Sequence, residues 1–559
     1  MNKKTFSKSA AREIIFLAIS KKITTKNELS KIKNAVLRKY RENTFPDAEL
    51  LKTFWEMKRT GEIAAPDDFA ALFQKRKIRT LSGIAPISVL MPPAPCHSAC
   101  VYCPTERANA AGKTLFQIDT EKKYGAQKLP KKFQKSGAIV MPKSYLSSEP
   151  GAMRAILAGF DPFVQISRRL AALEKIGHSP EKCELIIQGG TFSDLPHRAR
   201  NAFVKRCFQA FNQNLARKTL AEIQKENETA KYRVVGLTLE TRPGCVNEKE
   251  IREFRRLGAT RIELGVQTLD DEITKKTRRR QTRAEVVRAT RLLRDAGFKI
   301  CYHMMPGLPF STPEIDLKNY AEIFENPDFR PDLVKVYPCS VVPFSELQKW
   351  FDEKKYTPYP YPVLHKLLKK ILLMTPRWVR ISRFVRDIPS TAILGGAKKT
   401  NFRQLLENEI FAEKKKISEI RAREIRDEKI DFEKVFLKKT KYSAAGGTEF
   451  FLEMVDKNDK ICAMLRLRLP PKNQKTIFRA LKNAAIIREL HTFGAALRVD
   501  EKSKKIQHAG FGKTLLAAAE RIARENNFKK IAVISGIGVK NFYRKRGFFD
   551  DGLYLTKKI

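Results

Sequence analysis

The segment Pro95-Cys96-His97-Ser98-Ala99-Cys100-Val101-Tyr102-Cys103-Pro104 carries three thiols at C-x3-C-x2-C spacing, so one short loop can aim all three at a single metal centre. Three ligands rather than four is the informative part. Structural zinc closes a tetrahedral site with four protein ligands, whereas a 4Fe-4S cluster held by three cysteines leaves one iron open to a substrate or cofactor. His97 keeps a Cys3His zinc site as the alternative, although as the neighbour of Cys96 it has to fold back to reach the same ion. Cys301 and His303 form a second, looser group, alternating onto one face of an extended run, with Cys339 ending the next run. They either bind a second metal or are core thiols and a strand-end histidine that meets substrate. Far along the chain, Gln507-His508-Ala509-Gly510-Phe511-Gly512 directly precedes an amphipathic helix. Glycines let backbone N–H groups close on a pyrophosphate and the helix N-terminus adds positive potential; the alternative is an ordinary tight turn.

The elements that must carry these residues follow from patterning. From Ile78 onward, β-branched apolar runs alternate with helical segments, as parallel strands do when crossover helices bury them. Six strands are expected, at 87–91, 184–190, 234–240, 261–266, 300–305 and 334–339, which make a partial, open barrel. Gly189-Gly190, Glu240-Thr241-Arg242 and His303 stand at strand ends, where barrel-type α/β enzymes keep their active sites. Residues 1–75 read as basic amphipathic helices, either a solvated bundle or an RNA-contacting appendage. Residues 401–447 read as a charged helical connector ending at Ala444-Ala445-Gly446-Gly447. Beyond it, strands at 461–469 and 485–493, a helix at 511–526 and a strand at 531–535 form a separate small domain, 448–559. No internal repeat or low-complexity tract is present.

Composition bounds the partners. The 559 residues hold 109 Lys+Arg against 61 Asp+Glu, a net charge of +48, and such an excess repels itself unless a polyanion is a working partner. Nucleic acid leads; a generally basic or saline cellular setting is the alternative. A hydrophobic fraction of 42% excludes wholesale disorder. No signal peptide is expected from residues 1–12, and no run of 18 apolar residues occurs, so the expectation is a soluble protein without membrane contact. Nine cysteines, three in one loop and the rest in apparent strands and helices, fit metal ligands plus core thiols in a reducing cytoplasm.

The triplet, with Tyr102 before its last cysteine, is similar to the signature of the radical S-adenosylmethionine superfamily, and the 507–512 turn resembles the Q/R-x-x-G-x-G/A turn of GNAT acetyltransferases. Nearly end to end, the chain resembles the family of the Elongator catalytic subunit, including its single-protein archaeal and bacterial forms. The strings that carry the likeness are 145–165, 186–192, 240–243, 258–267, 303–306, 386–389, 488–491, 507–512 and 532–536. The resemblance implies an α/β fold: a basic helical tRNA-binding region (1–75), a partial (βα)6 radical SAM barrel (76–400), a connector (401–447) and a GNAT-type α+β domain (448–559). It implies a 4Fe-4S cluster on Cys96, Cys100 and Cys103, S-adenosyl-L-methionine at Gly189, Gly190, Glu263 and Gln267, and acetyl-CoA at Gln507, His508, Gly510, Phe511, Gly512 and Tyr543. Tyr543 is then the catalytic residue, assisting thioester turnover when tRNA binds, while Phe542 replaces a second family tyrosine.

The implied activity is modification of C5 of the tRNA wobble uridine towards carboxymethyluridine, with the anticodon stem-loop and an electron donor as partners. A rival reading is a protein lysine acetyltransferase with a structural iron-sulfur domain. Compact cysteine spacing places the chain nearer the microbial branch and argues against Elongator-like partner subunits. Arg278-Arg279-Arg280-Gln281-Thr282 stands where the family has Asn-Arg-Gly-His-Thr, either as phosphate contacts or as a solvated loop. Because the two reactive centres are expected on separate domains, a bound polyanion spanning both is expected to align them.

Overall fold

The computed structural model describes residues 7–41, 45–73, 82–94, 96–107, 140–399, 401–426, 430–471, 474–494 and 510–559. Three helices, Lys8–Ser20, Lys26–Lys39 and Asp47–Arg59, open the chain. The second begins with a capping box, Thr25 accepting from the Glu28 backbone while the Glu28 side chain accepts from that of Thr25. Their apolar stripes, including Ile14, Leu50 and Phe54, close a core of their own.

Seven parallel strands follow in sequential order: β1 (Ala85–Leu90), β2 (Lys182–Gln188), β3 (Arg233–Thr241), β4 (Arg261–Gln267), β5 (Lys299–Met304), β6 (Leu333–Val336) and β7 (Arg380–Phe384). Sequential order with helical crossovers coils the sheet into a partial barrel, open between β1 and β7. The six expected strands are present and β7 is additional. Its sequence, Arg-Ile-Ser-Arg-Phe, mixes polar and apolar residues at a sheet edge and lacks the apolar run that marks a strand buried on both faces.

A second seven-stranded sheet has the order β13-β14-β12-β11-β10-β9-β8, with β8 Phe436–Ala444, β9 Gly447–Val455, β10 Ile461–Leu469, β11 Ala485–Thr492, β12 Lys530–Val533, β13 Phe549–Asp551 and β14 Tyr554–Lys558. The helix Phe511–Glu525 packs on it through Leu515, Ala519 and Ile522. The stretch read as a helical connector divides: helix Phe402–Ala412 packs Leu406 and Ile410 into the barrel core, and β8 is the edge of the second sheet. Ala444 to Gly447, read as the linker's end, is the tight turn joining β8 to β9, with Ala445 and Gly446 at φ of 47° and 76°.

The two sheets share one core. Ala480, Ile486, Ala532 and Tyr554 pack among barrel residues, and a Cβ on Gly536 would collide with the Val235 carbonyl of β3. Arg488 and Arg466 reach from the second sheet to Asp332, and Arg294 of the barrel lies 3.4 Å from Glu449. Docking is therefore built into the fold, and alignment by a bound polyanion is not needed to bring the domains together.

Candidate active site

The cysteine loop leaves β1 and is clasped from two sides. Val101 donates its backbone N–H to Thr277 and accepts at its carbonyl from Leu347, at 3.1 and 2.8 Å. Ser98 donates to the Arg279 carbonyl at 3.1 Å, and Arg279 turns its guanidinium inward to Cys100 Sγ at 3.8 Å and to the Gly265 carbonyl. Burial pushes the Cys100 thiol up, but the charge of Arg279 and the bonds from Ser98, Arg279 and Tyr102 outweigh it, so its net shift is downward. Cys103, half-buried beside Cys100, is pushed up to about 12 by desolvation and by its neighbour, so the loop needs a cation to hold more than one thiolate. His97 is 79% exposed and places Nδ1 3.1 Å from Asp194.

Tetrahedral zinc would draw its sulfurs to roughly 3.8 Å from one another, given Zn–S of about 2.3 Å. Among the described residues, the group whose ligand atoms all lie within 4.8 Å of one another is Glu263, Cys301 and His303, not the cysteine triplet. The wider triplet suits a cluster better than a single ion. Cys339 does not join Cys301 and His303; it packs beside Tyr102, Leu308 and Tyr356. Nor is the Glu263 group a metal site, because cations already fill it. Glu263 accepts from Lys335 and, at 2.8 Å, from His303, with Arg261 3.5 Å away. Burial raises the Glu263 carboxyl, and Lys335, His303 and Arg261 together hold it far below its ordinary range.

One cavity of about 940 Å³ contains these features. Cys96, Cys100 and Cys103 line it, and so do Gly189, Gly190, Gln267 and His303. Gly189 and Gly190 have φ of +138° and +88°, and Cβ atoms there would meet Met91 at 3.0 Å and the Lys143 carbonyl at 3.3 Å, so the pair forms a bare backbone ledge. Gln267, at φ 69°, buries an amide oxygen without a hydrogen-bond partner, and Arg242 leaves Nε and Nη1 unpartnered. Unsatisfied buried polar atoms around a ledge beside three thiols fit a polar, zwitterionic cofactor such as S-adenosylmethionine. Deeper in the bore, Lys335 lies 3.6 Å from Glu240, which accepts from Tyr145 at 3.1 Å. The wall continues through Lys299 to Met464, Arg466, Glu489 and His491, residues of β10 and β11.

At that end β11 and β12 are parallel and paired only through Ala485–Ile531, Ile486–Ala532 and Ile487–Val533. Beyond Ile487 they diverge, and among the described residues no strand pairs with that side of 488–492, which a ligand chain can hydrogen-bond. Gly510 caps the Phe511–Glu525 helix at φ 82°, and a Cβ on Gly512 would touch Phe542 and Leu490. Gln507 and His508 lie outside the described residues. Tyr543, 5% exposed, sits edge-on to Phe542 and Phe548; burial raises its hydroxyl, with smaller effects from Arg546 and Glu489. A splayed parallel pair, a glycine-capped helix and a tyrosine beneath them fit an acyl-CoA.

Sequence reasoning missed Arg279, Lys335 and Tyr145. Lys335 had a signal, as the one charged residue in the otherwise apolar Leu-Val-Lys-Val of β6; Arg279 was hidden within a run of three arginines.

Fold and site define a radical S-adenosylmethionine barrel joined to a GNAT acetyltransferase domain. The Radical SAM superfamily model matches residues 94–319, the Radical_SAM C-terminal domain 331–412 and the Acetyltransferase (GNAT) family 415–548. The chain is 38% identical to a tRNA uridine(34) acetyltransferase of Methanocaldococcus infernus over 96% of each chain, and 37% identical to Elongator complex protein 3 of Schizosaccharomyces pombe over 86% of each. The solved archaeal Methanocaldococcus infernus Elp3 with N-terminus deletion superposes with a TM-score of 0.68 at 42% identity, covering 72% of this chain and 97% of that one. The chain belongs to the family of tRNA uridine(34) acetyltransferases and Elongator complex protein 3. It is an acetyltransferase-type enzyme with a radical S-adenosylmethionine domain, whose cofactors are a 4Fe-4S cluster, S-adenosylmethionine and acetyl-CoA. Among the described residues no helix is long and apolar enough to cross a membrane.

Proposed function

We propose that the enzyme attaches a two-carbon group from acetyl-CoA to C5 of the wobble uridine of tRNA, acting on the anticodon stem-loop. The observation that carries this reading is the continuity of one cavity from Cys96, Cys100 and Cys103 to Glu489 and His491 of the acetyltransferase sheet. When bound, the cluster with S-adenosylmethionine supplies one-electron hydrogen abstraction, and acetyl-CoA supplies the carbon unit.

The chain's own residues do the rest. Cys96, Cys100 and Cys103 hold the cluster, with Arg279 fixing Cys100. Gly189, Gly190 and Gln267 receive the methionine end of the cofactor. Glu263, which the resemblance places at the cofactor, accepts from Lys335 and His303 and acts as a positioning residue that holds both against the bore. Gln507, His508, Gly510, Phe511 and Gly512 cradle the coenzyme's pyrophosphate, and Tyr543 assists the thioester. The +48 charge supports a polyanionic substrate, and a purely structural cluster leaves the shared cavity without a purpose.

Anaerobically reconstituted protein given tRNA, both cofactors and dithionite as reductant should form 5'-deoxyadenosine and free coenzyme A. Cys96→Ala/Cys100→Ala/Cys103→Ala should abolish the first product; continued 5'-deoxyadenosine formation by this variant rejects the cysteine assignment.

A further inference from the structure

The radical reading above requires the cluster to be reduced by an electron from outside before it can act, and the cysteine loop has two faces. Its inner face lines the cavity. Its other face packs against buried apolar residues, among them Ile273, Leu308 and Leu347. The exposed residues that follow Ile273 are not arranged like an ordinary surface. Lys275 and Lys276 end the helix Asp271–Lys276, and Arg278 and Arg280 follow it. Left-handed φ values of 56° and 52° at Arg278 and Arg280 turn both outward while Arg279 points in to Cys100. All four cations are exposed, and none forms an ion pair among the described residues. The acidic residues of the same helix, Asp271 and Glu272, stand at its other end, where Asp271 accepts from the Arg283 backbone.

Beside these cations Phe310 is 56% exposed at φ 71°, a strained conformation for an aromatic residue. Its ring lies 5.3 Å from Lys276 Nζ and 6.0 Å from the Trp350 ring. An exposed aromatic residue backed by a half-buried tryptophan, beside cations that form no ion pair among the described residues, has the make-up of a docking site, with an apolar anchor and steering charge. None of these six residues lines the cavity. The patch therefore lies outside the cavity that receives the base.

We infer that the patch of Lys275, Lys276, Arg278, Arg280, Phe310 and Trp350 docks a small acidic electron-carrier protein with a low-potential iron-sulfur or flavin centre. The electron crosses the buried apolar residues to the cysteine loop: the carrier is oxidised by one electron, the cluster is reduced by one, and no atom is exchanged. The backbone bonds of Val101 to Thr277 and Leu347 join the patch to the loop between Cys100 and Cys103. The footprint is small, as suits a carrier that must leave after each transfer.

The test uses reconstituted full-length protein and a plant-type [2Fe-2S] ferredoxin as probe, with Lys275→Glu/Lys276→Glu and Phe310→Gly as variants. Three quantities are measured: binding of oxidised ferredoxin, the rate of cluster bleaching by reduced ferredoxin or by dithionite, and tRNA affinity. Wild-type protein should bind ferredoxin with an affinity that falls as salt rises from about 50 to 200 mM, and the charge-reversal variant should lose about tenfold or more in ferredoxin affinity and reduction rate. Phe310→Gly, which also relieves the strained φ, should weaken binding several-fold. Dithionite bleaching and tRNA affinity should match wild type in both variants. Unchanged ferredoxin binding in the variants overturns the proposal. So does a parallel loss of tRNA affinity, which would make the patch an RNA surface, or a loss of dithionite bleaching, which would make it structural. Wild-type protein that dithionite fails to bleach overturns the cluster reading and the docking proposal with it.

Discussion

Arg488, on β11 of the acetyltransferase sheet, donates from its two terminal nitrogens to the Asp332 carboxylate of the barrel at 2.9 and 2.5 Å, with both side chains fully buried. The same guanidinium donates to Glu449 at 3.0 Å. Breaking a buried ion pair from one side leaves uncompensated charge and costs roughly 3–5 kcal/mol. Arg488→Met removes a cation from two carboxylates at once, leaving Asp332 to Arg466 and Arg294 and Glu449 to Arg468 and Arg294. Calorimetry should show a lower melting temperature and the single transition resolving into two; an unchanged thermogram would mean that the buried pairs do not hold the domains together.

Acid should loosen the same junction. Burial raises the Glu489 carboxyl, but Lys299 and Arg466 outweigh it and hold it at about 2, against an ordinary 4.5. A carboxylate depressed in the folded state contributes stability that is present above about pH 4.5 and lost as pH falls towards 2. Asp332 and Glu449 are shifted the same way, by Arg488 and Arg294 acting against burial. Urea midpoints should therefore fall steeply between about pH 4.5 and 3, and less steeply in Lys299→Met, whose Glu489 has lost its nearest cation from the barrel. Parallel curves for the two proteins would remove Glu489 from the account.

Arg279→Met should lower the iron retained after anaerobic reconstitution several-fold while leaving coenzyme A binding intact, because its guanidinium serves Cys100 and the Gly265 carbonyl and no part of the acetyltransferase sheet. Equal iron in variant and wild type would reduce Arg279 to a spectator.

What the sequence made legible follows from burial. Strands buried on both faces, such as Ile-Glu-Leu-Gly-Val in β4, read as apolar runs, and the cysteine spacing needs no tertiary context. Edge strands escaped: β7 and β8 carry several Arg or Lys residues in place of an apolar run, and in β8 the lysines at 438, 439 and 441 imitate a charged helix. Cys339 was grouped with Cys301 and His303 because it ends the neighbouring run, but Cys301 pairs with Leu333 and His303 with Lys335, so Cys339 lies several residues farther along the sheet. The link between the two sites was beyond sequence reasoning, since Arg488 and Asp332 are 156 residues apart.

Tyr543→Phe should suppress tRNA-stimulated hydrolysis of acetyl-CoA while leaving tRNA affinity nearly unchanged, since a tyrosine 5% exposed in the acetyltransferase core adds little to an electrostatic interface. Both tRNA binding and stimulated hydrolysis should fall steeply with salt; neutralising about six to ten phosphates costs roughly 10³ to 10⁵ in affinity between about 50 and 200 mM. Hydrolysis equally fast without tRNA would contradict the coupling.

The most direct measurement follows the carbon. Reconstituted enzyme, reduced with dithionite, is incubated anaerobically with tRNA, S-adenosylmethionine and acetyl-CoA labelled in the acetyl group, and the tRNA nucleosides are resolved by mass. Labelled carbon should appear as a two-carbon substituent on the uridine at position 34, and should vanish in the Cys96/Cys100/Cys103 alanine variant. Label found on protein lysines with unmodified uridine, or on uridine in the variant, would contradict the account.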